Sequence, residues 1–116
     1  MESMKNQASY VAFIVEHFSC FGEITVRSMF GGHCLYCKGI VFALIAKNTL
    51  YLKADGVNQP AFIERGLKPF NPFDRPKGVM RYYTAPAEIF EDEDAMKYWG
   101  GGAIEAGRRS QKSSKR

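Results

Sequence analysis

The chain has 116 residues, one domain's worth, and is long enough to bury a core without disulfides or metal. Its composition, 46% hydrophobic, 14% aromatic and 24% charged, is that of an ordinary soluble globular protein. The net charge of +4 is misleading as a sign of a cationic surface. The last nine residues, RRSQKSSKR, carry five basic groups and no acid, and without them eleven basic residues face twelve acidic ones.

In chain order, residues 5–21 predict an amphipathic helix, with Val11, Ile14, Val15, Phe18 and Phe21 on one stripe and Gly22 as its terminating glycine. Ile24 and Val26 alternate with polar neighbours and predict a half-buried strand. Residues 33–37 and 40–46 are two further strands joined by a Lys38-Gly39 turn, and Ala46 to Thr49 turns the chain into a fourth, 50–53. Asn58 is a candidate cap for a short helix over 59–65, with Pro60 in its first turn and Gly66 closing it. The run KPFNPFDRPKG, with three prolines, is a loop. Val79 to Thr84 returns to strand, Pro86 opens a helical turn, and Asp92 or Asp94 caps a last helix carrying Met96, Trp99 and Ala103. Gly100-Gly101-Gly102 should interrupt that helix, because each interior glycine costs about 1 kcal/mol relative to alanine. The order α-β-β-β-β-α-β-α implies an α+β fold: an antiparallel sheet of about five strands with helices on one face. The domain is expected over 1–107, with 108–116 as a basic tail.

The stretch MFGGHCLYCKG, Met29 to Gly39, concentrates the chemistry-bearing residues. Cys34-x-x-Cys37 is half of a zinc-ribbon pattern, and His17 with Cys20 is the one available second pair. Against a metal, cysteines three apart in a strand point to opposite faces. Against a redox pair, the motif lies in a strand rather than at a helix N-terminus. The favoured reading is one core cysteine and one on the open face, with no metal and no cofactor. An odd count of three cysteines argues against a disulfide framework. The start, MESMKNQ, has no basic segment before an apolar run, and the longest apolar stretch is Ile40 to Ala46. The expected location is therefore cytoplasmic, and no membrane contact is expected. No nucleophile elbow, phosphate loop or dinucleotide fingerprint occurs, so no catalytic residue is assigned.

Strand aromatics such as Tyr36, Tyr51, Tyr82 and Tyr83 are read as core residues in preference to base-stacking platforms, although the adjacent Tyr82 and Tyr83 must face opposite ways. Arg65, Lys68, Arg75, Lys77 and Arg81 cluster with only Asp74 opposing them, and an acidic run, Glu88 to Asp94, follows. These five basic residues, with Arg108, Arg109, Lys112, Lys115 and Arg116 of the tail, are the candidate contacts for nucleic acid or a partner.

VRSMFGGHCLYCKGIVFALIAKNTLYLKAD resembles the signature of the N-terminal domain of TfoX (Sxy) competence regulators. The positions that carry it include Arg27, Met29, Phe30, Gly31, Gly32, Leu35, Tyr36, Leu52 and Lys53; Tyr82 and Tyr83 fit further on. The resemblance covers roughly residues 8–106 and makes these positions structural. It implies a fold similar to secretion chaperones and a non-enzymatic role as a co-regulator of competence (DNA transformation) genes, acting with a transcription activator as a monomer or homodimer. Full-length regulators of this kind carry a second, C-terminal domain, so the chain is expected to be a stand-alone module whose partner is a protein. The alternatives from the residues themselves are a metal or thiol-redox protein using His17, Cys20, Cys34 and Cys37, and a small-ligand-binding domain.

Overall fold

The computed structural model describes residues 6–29, 31–71 and 81–114, with side chains up to residue 111. Helix α1 (Ala8–His17) leads through a 3-10 turn (Ser19–Phe21) into strands β1 (Ile24–Met29), β2 (Gly32–Cys37), β3 (Ile40–Ala46) and β4 (Thr49–Lys53). Helix α2 (Gln59–Glu64), strand β5 (Tyr82–Thr84), a second 3-10 turn (Ala87–Phe90) and helix α3 (Glu93–Ser114) complete it. The expected α+β order is borne out. The five strands form one antiparallel sheet in the order β1-β2-β3-β4-β5.

The meander is set by its turns. Lys38 and Gly39 both have positive φ (52° and 81°), as do Lys47 and Asn48 (53° and 56°). Paired left-handed residues match the right-handed twist of the strands they join. Gly31 (φ 86°) serves the turn that pairs Met29 with Gly32, whereas Gly32 itself lies in β2; Phe30 is outside the described residues.

The helices cover one face. Leu35, Cys37, Phe42, Ala43, Ile45, Leu50, Leu52 and Tyr83 point into them, meeting Ile14 of α1, Phe18 just beyond its end, Phe62 of α2 and Trp99 of α3. The run IVFALIA buries residues out of step with simple alternation because β3 carries a bulge. Leu35 pairs with Ala43 but Tyr36 pairs with Val41, which leaves Phe42 as the extra residue. Phe42 therefore turns inward beside Ala43, and its ring meets Phe18 edge-on at 5.4 Å.

Several expectations are corrected. Helix α1 begins at Ala8, because Asn6 and Gln7 are tied to the sheet instead. The Asn6 amide donates to the Ile45 carbonyl and His33 Nδ1, both at 2.8 Å, and Gln7 N donates to Asn48 Oδ1. It also ends at His17, with the 3-10 turn carrying Phe21. Val26 stands on the helix side but is 36% exposed, on the edge strand of the sheet. Asn58 makes no capping bond; its carbonyl accepts from Asp55 N and its amide donates to the Lys53 carbonyl. Asp92 does cap α3, accepting from Ala95 N at 3.1 Å. The Lys68–Phe70 part of the proline loop lies along β5: Thr84 N donates to the Lys68 carbonyl and Phe70 N to the Tyr82 carbonyl. Pro69 between them needs no donor there. Val79 and Met80, expected in the last strand, lie outside the described residues.

The triple glycine does not interrupt α3, which runs unbroken from Glu93 to Ser114. Met96, Trp99, Ala103 and Ile104 bury a continuous stripe that offsets the glycine cost. Two glycines are close-packing devices. A Cβ on Gly100 would lie 3.0 Å from Phe21 Cε2 and 3.1 Å from Phe18 Cε1; one on Gly107 would run into the Val41 carbonyl oxygen.

Candidate functional site

The cysteines part company as their spacing predicted. Cys37 points to the helix side, where its Sγ donates to the Phe21 carbonyl at 3.5 Å. Cys34 lies on the opposite face, level with Arg27 of β1 and Leu44 of β3, but it is buried there and not open as expected. Burial raises its thiol pKa, with Arg27 opposing weakly. His17 Nε2 donates to the Ile89 carbonyl at 2.7 Å and its ring packs among Phe13, Phe18 and Phe90. Cys20 is exposed, its Sγ 3.9 Å from Met96 Sδ. The four residues do not converge, and among the described residues no three His, Cys, Asp or Glu groups are placed to hold a metal ion. Protein purified without added zinc should carry well under one equivalent and keep its Tm on chelation. One tightly held zinc per chain, with unfolding on chelation, would restore the metal reading.

The face away from the helices carries Lys53, Tyr82, Tyr51 and Cys34. Lys53, 5% exposed, sets Nζ 5.0 Å over the Tyr82 ring. Burial, then Arg81, lowers the Lys53 pKa. Burial raises that of Tyr82, with Cys34 and Tyr36 adding to it. Phe70 lies on Tyr51, centroids 4.8 Å apart. Beside it a cavity of about 60 Å³ is lined by Met29, Cys34, Leu44 and Phe70. Tyr82 and Tyr83 face opposite ways as expected: Tyr83 stacks on Phe62 at 5.1 Å in the core, and Tyr82 lies on this second face. The reading of Tyr36 and Tyr51 as core fails, because both belong to the second face and are only half-buried. Lys53 is buried on this face and Tyr82 half-buried beside it.

Of the candidate contact residues, Arg109 is not free. Its Nε and Nη2 grip Asp55 at 2.6 and 3.0 Å, across 54 residues of sequence. Asp55 also accepts from Val57 N and Asn58 N, so the clamp ties α3 to the turn before α2. Arg108 faces Glu105 at 3.5 Å. Arg65 forms a two-pronged pair with Glu88 at 2.5 and 2.9 Å and lies 5.8 Å over Trp99. Lys68 and Arg81 flank β5, their carbonyls accepting from Thr84 N and Ala54 N. Arg75, Lys77, Lys115 and Arg116 lie outside the described residues, as does the side chain of Lys112. The region from residue 108 to 114 continues α3.

The Arg109 bond, foremost, holds the Asp55 carboxyl below the usual range, and Arg65 holds Glu88 at about 2. Depressed carboxyl pKa values contribute stability that is present above the unfolded value of about 4 and lost as pH falls through the folded one. Both pairs therefore predict a fall in Tm as pH drops below about 4. In a double-mutant cycle, Asp55→Asn with Arg109→Gln should show a coupling of about 1 kcal/mol at pH 7, discounted because Arg109 is 38% exposed. Coupling that persists at pH 2 would rule out the ionic origin.

An antiparallel sheet with three helices on one face, Lys53 and Tyr82 on the other and an exposed β1 edge describes a small α+β domain. The family model of the TfoX N-terminal domain matches residues 16–107. The chain belongs to the TfoX N-terminal domain family. No curated protein matches it. Among the described residues no helix is long and apolar enough to cross a membrane.

Proposed function

We propose that the chain is a non-enzymatic, cytoplasmic co-regulator of competence gene expression that works by docking on a protein partner such as a transcription activator. The observation that carries this reading is the family match from residue 16 to 107, which spans the whole sheet and most of α3. The β1 edge supports it. Val26 and Met29 are 36% and 46% exposed there, and among the described residues no strand pairs with this edge, which offers its backbone to an incoming strand. The test is cross-linked capture of the tagged chain from the source organism, with partners identified by mass. Recovery of a transcription activator is expected. Recovery of metabolic enzymes alone would contradict the reading.

Non-specific contact with duplex DNA is the weaker part of the proposal. Because Asp55 holds Arg109, the charges that would carry it are chiefly Lys112, Lys115 and Arg116, with Arg108 loosely held by Glu105. Changing these three to glutamine should flatten the log–log salt dependence of binding by about 2.7. An unchanged slope would remove the tail from the account. Substitution is the better test than truncation at Gly107, which would also remove Arg109 from its clamp.

A further inference from the structure

A groove of about 370 Å³ opens between α3 and the β2–β3 hairpin. Its apolar walls are Phe21, Ile40 and Ile104. Gly101 lies on its border, and a Cβ placed there would meet nothing within 4 Å. Neither close packing nor a positive φ therefore calls for glycine at this position, although it weakens the helix. A side chain at 101 would project into open space beside the groove, so the glycine keeps it clear.

The polar groups of the groove are Lys38, Glu105 and Arg108, a surplus of one positive charge. Lys38 sits in the left-handed hairpin turn, and its Cε runs close over Gly22. The Arg108–Glu105 pair is long, at 3.5 Å, and more than half exposed on both sides, so an incoming anion can compete for the guanidinium. Cys37 also borders the groove, but its thiol is turned to the Phe21 carbonyl.

We propose that this groove binds a small amphipathic carboxylate, its apolar body against Phe21, Ile40 and Ile104 and its carboxylate between Lys38 and Arg108. The volume is within the range of small-molecule sites, roughly 300–1,000 Å³. The inference does not depend on the competence role. It is tested by titrating the ¹⁵N-labelled full chain with octanoate, with 1-octanol as the uncharged probe. Saturable shifts are expected at the amides of Phe21, Ile40, Gly101 and Ile104. Gly101→Leu should abolish them with Tm unchanged or raised. Lys38→Gln and Arg108→Gln should each weaken binding about tenfold, the worth of one charge-assisted contact. Octanol should bind at least about tenfold more weakly on the same ground. No saturable shifts, binding retained by a folded Gly101→Leu protein, or octanol binding as tightly as octanoate would each overturn the proposal.

Discussion

Gly107→Ala should cost about 2 kcal/mol and lower Tm by about 8 °C, although alanine is the better helix former. The added methyl would meet the Val41 carbonyl oxygen and lie 2.8 Å from Ile40 Cγ2, so α3 would have to lift off β3. Overpacking of this kind costs about 1–3 kcal/mol and occasionally more, and the helix gains only about 1 kcal/mol in return. Here the struck atom is backbone, which cannot rotate away. Gly101→Ala is the matched control. Its methyl meets nothing within 4 Å, so it should stabilise by up to about 1 kcal/mol. Thermal or denaturant unfolding of the two variants decides the matter. Equal effects at the two positions would mean that α3 does not rest on β3 at Gly107.

Phe42→Ala should be costlier still, about 4 kcal/mol, while Leu44→Ala, two residues on, should cost about 1–2 kcal/mol. Simple alternation would put both side chains on one face and predict similar penalties. The bulge separates them. Phe42 is fully buried against Phe18, whereas Leu44 is level with Cys34 and Tyr51 on the second face and only half-buried. Urea unfolding of each variant, with m-values compared to confirm an unchanged unfolding mode, reads the difference. Equal losses would mean that β3 pairs without the bulge.

What the sequence disclosed was what short-range chemistry decides. Lys38-Gly39 and Lys47-Asn48 mark their turns within two residues, and the strands between them follow. The odd spacing of Cys34 and Cys37 placed them on opposite faces before any coordinates did. What stayed hidden depends on distant parts of the chain. IVFALIA is apolar throughout, so it carries no parity from which a bulge at Phe42 could be read. Gly100 looks like a helix breaker until Phe18 and Phe21 are brought against it, and nothing near Gly107 in sequence announces Val41. Arg109 looks like tail until Asp55 reaches it. Asn58 has the residue type of a cap, yet the turn from Lys53 to Asp55 claims its side chain first. Of the candidate contact residues, the sequence located the charges but not their partners: Glu88 for Arg65 and Asp55 for Arg109. The groove beside Gly101 had no signal in sequence beyond a glycine in a helix.

The regulatory reading is tested most directly by transcript profiling of the source organism with the chain deleted and then restored. The account predicts that competence genes fall on deletion and recover with the wild-type chain. Competence transcripts that stay unchanged through deletion and restoration would contradict it.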